Sequence, residues 1–275
     1  MKKYAVRGQV LLITVLVLSI AVTIALSLIG RSVADISMSR NLEESARAFS
    51  AAEAGLEAAL QGTLTDAQEG FVPYADRVSY QSSSTIIGGT TGAYTLPSTS
   101  PGLVGSVWLV GHTIDNAIDE AQYYTGTSLD ICWTPPGAGQ PIPAIEVVLY
   151  YKSGGLYLVE RGAYDPDITR RSENAFSSVS EINGSCGTVT NVYKQSIVLP
   201  GGIPLLVRIR PFYGSTTVTV APVGTDILLP RQGVEITSTG KTDGGVTRKI
   251  VVKRQYPWPA SIFDYSVYSQ DSFLH

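Results

Sequence analysis

His112, Asp115, Asp119 and Glu120 come nearest to a set of groups that could react. A histidine beside a carboxylate, with a serine supplied by the fold, is the make-up of a nucleophilic triad. His112 is the only histidine apart from the terminal His275, and the stretch HTIDNAIDEAQ offers Asp115 or Asp119 as its acid. The spacing selects no serine. The glycine-framed serine, the zinc-protease helix, the phosphate loop and the dinucleotide glycine pattern are all absent from the sequence. Asp115, Asp119 and Glu120 also carry the oxygens calcium takes, but not at the intervals of an EF-hand loop; a solvated loop is expected over them. No catalytic residue, metal ligand or cofactor site is assigned, and the chain is not expected to be an enzyme.

Cys132 and Cys186 are the only cysteines. In an oxidising compartment they are candidates for one disulfide, closing a loop of about 55 residues and contributing roughly 4 kcal/mol in the chain-entropy model. Otherwise they are two buried thiols. Asn183-Gly184-Ser185 has the form of a glycosylation sequon in an expected turn. The 15 tyrosines are expected mostly in sheet packing. A net charge of -3, with 16% charged residues, leaves no basic surplus, so nucleic acid is not an expected partner.

These residues must be held by β structure. Beyond residue 62 the chain is rich in Gly, Ser, Thr, Tyr and Val, with no long helical period. Strands are expected over Arg77–Tyr80, Ala93–Leu96, Val107–Val110, Leu129–Trp133, Ala144–Tyr151, Leu156–Arg161, Val192–Leu199, Leu205–Pro211, Thr216–Val220, Gly233–Thr237 and Thr247–Lys253. Two hairpins are marked by glycine turns, Ser153-Gly154-Gly155 and Asp243-Gly244-Gly245, where positive φ is needed. The aromatic tail around Trp258, Phe263, Tyr265 and Tyr268 has Asp264 as its one charge and reads as a core edge.

Everything hangs from Gln9–Leu60. Val10 to Ile29 is an apolar run interrupted only by Thr14, Ser19, Thr23 and Ser27, long enough to span a bilayer. It continues without proline into an amphipathic stretch, giving a rod of about 80 Å at 1.5 Å per residue. Gly30 and Gly55 each cost a helix about 1 kcal/mol relative to Ala. Arg40 with Glu44, and Glu43 with Arg47, are spaced to pair. Leu42, Phe49 and Leu56 recur every seven residues, with Ala46, Ala52 and Leu60 near the same face, and this stripe is expected to pack on the chain's own β domain. Gly62 and Thr63 are the expected stop.

Lys2, Lys3 and Arg7 precede the apolar run, which holds the N-terminus in the cytoplasm and sends the bulk outward. The run is longer than a secretory signal's apolar region, and no small-x-small cleavage site follows it. The junction Arg7-Gly8-Gln9, a short basic leader ending in glycine directly before an apolar helix, resembles the class III leader of type IV pilins and type II secretion pseudopilins. The rod adds a second likeness. Asn41-Leu42, Ala48-Phe49 and Ala51-Ala52-Glu53-Ala54 resemble the N-terminal pattern of the PilX-type minor pilins, at that family's spacing.

The likeness covers about 55 residues, a fifth of the chain. It implies a prepilin peptidase cutting after Gly8 to leave Gln9 as the N-terminus, and a helix that passes from the membrane into a filament of other pilin subunits. One position departs from the major pilins. Their fifth mature residue is a Glu that neutralises a neighbour's terminal amine in the apolar filament core. Here it is Ile13, which implies a minor or tip subunit.

The architecture expected is α+β: leader 1–8; a long helix 9–62 whose residues 10–30 span the membrane; a pilin-like β head from 63–100 and 229–275; and an inserted β-sandwich over 101–228. The hairpin at Gly233–Gln255 is expected in the head sheet, with strands from 72 to 96. The location implied is the cytoplasmic membrane, single-pass, with the β domain outside, then a cell-surface filament. The rival reading is an uncut signal-anchored surface protein whose sandwich binds a ligand or adheres.

Overall fold

The computed structural model describes residues 7–61, 70–89, 92–113 and 115–260, with side chains from Val10 onward. A helix, α1 (Arg7–Leu60), opens the chain. There follow β1 (Val72–Ala75), β2 (Val78–Gly88), β3 (Tyr94–Thr95), β4 (Gly105–Trp108), β5 (Val110–His112), β6 (Ile118–Tyr123), β7 (Ser128–Trp133), β8 (Ala144–Ser153) and β9 (Leu156–Tyr164). A short helix α2 (Ile168–Asn174) precedes β10 (Glu181–Cys186), β11 (Val189–Val198), β12 (Ile203–Phe212), β13 (Val218–Pro222), β14 (Arg231–Thr242) and β15 (Thr247–Gln255). The chain is therefore α+β, one long N-terminal helix followed by antiparallel sheets.

Contacts divide the described chain into two units. The first holds residues up to Ser84 with Ile236–Val252; the second holds Thr85–Glu235 with the residues from Lys253. The expected insert, 101–228, lies inside the second unit, which begins earlier because Tyr94 and Thr95 pair with Val220 and Thr219 of β13. Leu96 sits in the same core as β7 and β8. The hairpin of β14 and β15 belongs to a sheet ordered β1-β2-β14-β15, which includes the strands from Val72 but not β3.

In the second unit two sheets, β10-β11-β7-β13-β3 and β4-β12-β8-β9, share one core. Leu129, Ile131 and Trp133 alternate along β7, and Val218 and Val220 along β13; Ile145, Val147 and Leu149 on β8 and Val207 and Ile209 on β12 meet them. That alternation is the period of a strand with one inner face, and each such side chain contributes about 1.5–3 kcal/mol by leaving water. The Trp133 indole donates to the Pro143 carbonyl at 2.9 Å, so its one polar atom is satisfied. Cys132 on β7 and Cys186 on β10 are joined by a disulfide, Cα atoms 6.1 Å apart, both buried.

Four elements lie outside the expected strands: β1, β6, β10 and α2. Their sequences VPYA, IDEAQY, EINGSC and ITRRSEN carry little apolar periodicity, and they are mostly exposed. β6 corrects the loop expected over Asp119 and Glu120; pairing with β5, not apolar burial, makes it a strand. β10 likewise corrects the turn expected at Asn183-Gly184-Ser185, which stands in a strand with an irregular register. The stop expected at Gly62 and Thr63 lies outside the described residues, as do Phe263, Asp264, Tyr265 and Tyr268. Trp258 is 40% exposed.

Candidate functional site: the two halves of the long helix

α1 is continuous from Arg7 through Leu60, so Gly8 and Gln9 fall in its first turn. Residues 10–30 carry no charged side chain, and every large apolar side chain from Val10 to Ile29 is at least half exposed. Three of the four hydroxyls of this half, those of Thr14, Ser19 and Thr23, are turned inward onto the helix. Thr14 donates to the Leu11 carbonyl at 2.9 Å, Ser19 to Leu16 at 2.8 Å and Thr23 to Ser19 at 2.7 Å. A hydroxyl bonded to its own helix presents only methyl and methylene groups outward, as lipid or an apolar filament core requires. This half is long and apolar enough to cross a membrane by length and composition. Ile13 is 55% exposed within it.

The second half meets a sheet within the first unit, and it does so through small residues. Ala48, Ala51, Ala52 and Gly55 are buried, at the three- and four-residue spacing of one helical face. A side-chain carbon on Gly55 would overlap Ser238 and the Tyr80 ring. One on Gly240 of β14 would overlap the Ala48 carbonyl and the Ala52 amide. Arg248 on β15 donates to Ser45 at 2.8 Å. Backbones approach this closely only where both surfaces lack bulk.

This corrects the expected stripe. Leu42 is 65% exposed and Phe49 47%, and Leu60 is exposed too, while Leu56 is half-buried. Leu42, Phe49 and Leu60 therefore face away from the sheet. Only Ala52 of the expected stripe is buried on it; Ala46 is exposed. The heptad spacing identified an apolar face, but the sheet takes the Ala/Gly face because its glycine and serine leave no room for Leu or Phe. Of the residues in the PilX-like pattern, Ala48, Ala51 and Ala52 lie against the sheet, whereas Asn41, Leu42, Phe49 and Glu53 are exposed and Ala54 is half-buried. Glu43 pairs with Arg47 at 2.7 Å on the exposed side.

The residues singled out for chemistry do not converge. His112 lies 4.1 Å from the Tyr256 ring, nearly parallel to it, and edge-on to Trp108 at 4.6 Å. Burial pushes its pKa below the ordinary value. Its setting, in a cavity of about 340 Å³ with Asn116, Arg231, Arg254 and Tyr256, is aromatic and cationic, with no acid beside the imidazole among the lining residues. Asp119 accepts from the Ala121 amide at 3.1 Å, and Glu120 holds Lys152 at 2.7 Å. The hydrogen bond that Lys152 donates to Glu120 raises the Lys152 pKa. Among the described residues, no three His, Cys, Asp or Glu gather as a metal site would need.

The most buried ionic group is one sequence reasoning missed. Asp165, fully buried, receives two bonds of 2.7 Å from Arg170 and one of 2.7 Å from Asn174. Arg170 stacks on Tyr213 at 3.8 Å and also donates to the Ile142 carbonyl. Asp167 caps α2 by accepting from the Thr169 and Arg170 amides. The cluster is closed on itself and fixes α2. The Asp165-Pro166-Asp167-x-x-Arg170 run is a local signal of a helix cap that no long helix follows. No family model matches the chain, and no curated protein matches it.

Proposed function

We propose that this chain is a PilX-like minor pilin or pseudopilin, a subunit of a type IV pilus-like or type II secretion-like filament. It is held in the membrane by residues 10–30 before assembly and presents its β domain outside. The observation that carries this reading is the division of α1. Its first half is apolar on all sides with the Thr14, Ser19 and Thr23 hydroxyls bonded inward, and its second half rests on a sheet through Ala48, Ala51, Ala52 and Gly55. A plain anchor needs only the first half. A filament subunit needs a rigid rod that continues into its own head, so that pulling the helix out of the bilayer carries the domain with it. The exposed Leu42 and Phe49 beyond the bilayer-length run add apolar surface for neighbouring helices.

In this reading a prepilin peptidase cuts between Gly8 and Gln9, and other pilin subunits are the partners. Ile13, which cannot supply a carboxylate to a neighbour's terminal amine, suits a position occupied by few copies. The test is N-terminal mass spectrometry of the protein from cells that express a prepilin peptidase. The expected mature start is Gln9, abolished by Gly8→Val. An intact Met1 assigns the chain instead to the rival class, an uncut anchor holding an adhesive or ligand-binding sandwich.

A further inference from the structure

Six strands end the three larger sheets among the described residues: β1, β15, β10, β3, β4 and β9. A sheet edge is a template for another strand, and proteins blunt it with proline, bulges, basic side chains or shortness. β1 contains Pro73 and a shifted register. β3 has 2 residues and β4 has 4. β10 is irregular at two places. β15 carries Arg248, Lys249, Lys253 and Arg254. β9 carries its charges, Glu160 and Arg161, beyond its first four residues, with Arg161 3.7 Å from Glu146 of β8; Leu156–Val159 have no proline, bulge or charge. The strand is 9 residues long, LYLVERGAY, paired to β8 without a register shift. Leu156 is 66% exposed, Tyr157 71%, Leu158 37% and Val159 49%.

The hairpin sets which backbone groups point outward. Gly154 and Gly155 both have positive φ (58° and 81°), so the two-residue turn makes Ser153 and Leu156 the hydrogen-bonded pair that closes it. Alternation then directs the amide and carbonyl of Leu158 and Glu160 to β8, and those of Tyr157 and Val159 away from it. The same parity holds further on, where the outward carbonyl of Ala163 accepts from the Ser177 amide at 2.9 Å. That contact covers the end of the edge and leaves the apolar beginning open.

We propose that β9 pairs antiparallel with β9 of a second copy of this chain, about a two-fold axis at Leu158. This register makes Tyr157 and Val159 of one copy the hydrogen-bonded pairs with Val159 and Tyr157 of the other. It sets an aromatic ring against a β-branched side chain, a favourable cross-strand pair. Leu158 meets Leu158 on the face that looks into the sandwich, since its partner on β8 is Tyr151, which packs on the core. Glu160 falls opposite Leu156, so no charge opposes its like. An isologous interface of this kind needs only that the strand be complementary to itself, and the apolar run is. The inference does not depend on the filament reading.

Both cysteines are committed to the disulfide, so one introduced thiol reports cleanly. Leu158→Cys in the full chain, purified in detergent and mildly oxidised, is expected to give a species of twice the mass, because facing residues in a non-hydrogen-bonded pair bring their Cβ atoms within about 4.5–5.5 Å. Ile182→Cys, exposed on the β10 edge, is the control and should stay monomeric. Adding Val159→Pro, which removes an outward amide that edge strands can spare, or Tyr157→Lys, should abolish the cross-link while circular dichroism stays native. A photo-cross-linking phenylalanine in place of Tyr157, a position open enough not to disturb folding, should attach to the peptide containing Val159 of the other copy. A Leu158→Cys chain that stays monomeric, one that joins a different polypeptide, a cross-link that survives Val159→Pro, or one no stronger than that of Ile182→Cys overturns the proposal.

Discussion

Gly240 on β14 lies against the main chain of Ala48 on α1, with no space for a side chain between them. Gly240→Val is expected to destabilise the docked helix by at least about 1–3 kcal/mol, the range for overpacking, because the atoms in the way are backbone and cannot swing aside. Gly30→Ala is the contrast. Nothing lies within 4 Å of the carbon it would add, and it should leave the fold intact or stiffen α1 by about 1 kcal/mol. Denaturant unfolding of the detergent-solubilised chain measures both.

Phe49 and Ala52 sit three residues apart but on different business. Phe49 is 47% exposed and Ala52 fully buried. Phe49→Ala should change the unfolding free energy by less than about 1 kcal/mol, and on the proposed filament reading it should lower recovery of the subunit in sheared filaments. Ala52→Leu should do the reverse at the first level, lowering stability by about 1–3 kcal/mol. Thermal melts and quantitative immunoblots of filament fractions separate the two effects.

In the proposed pilin reading, Ile13 takes the position at which major pilins carry an acid. Ile13→Glu is expected to raise the number of copies per filament by offering a carboxylate to a neighbour's amine. Counting labelled subunits per filament tests this; unchanged incorporation counts against a position set by the missing acid.

Asp165 and Arg170 give the second unit a defined acid sensitivity. Burial alone would raise the Asp165 pKa, but the bonds from Arg170, the Asp167 amide and Asn174 outweigh it and hold the carboxyl below its ordinary value. The folded form thus binds this proton less readily than the unfolded chain, so the stabilisation is fully present above the ordinary value of 3.8 and is lost as pH falls through the lower, folded one. Asp165→Asn should cost about 3–5 kcal/mol at neutral pH by stranding Arg170. It should also flatten the acid limb of a stability curve measured between pH 2 and 6.

Much of this protein is legible along the chain. Val10–Ile29 declares an apolar helix because its hydrophobicity is continuous. β7 declares itself by alternation, β8 and β12 by apolar runs, and the glycine turns at 154–155 and 244–245 by a local need for positive φ. Tertiary structure decided what depends on a partner distant in sequence. Asp119 and Glu120 are in a strand because β5 lies beside them, and Tyr94 joins the second unit because β13 reaches it. Nothing in the spacing of Asp165 and Tyr213 announces that Arg170 binds both. The long helix shows the division most clearly. Its apolar residues at 42, 49 and 56 mark a face by periodicity alone, but which face meets the sheet was settled by the width of the gap, and a gap built from Gly240, Gly55 and Ser238 admits alanine and excludes phenylalanine.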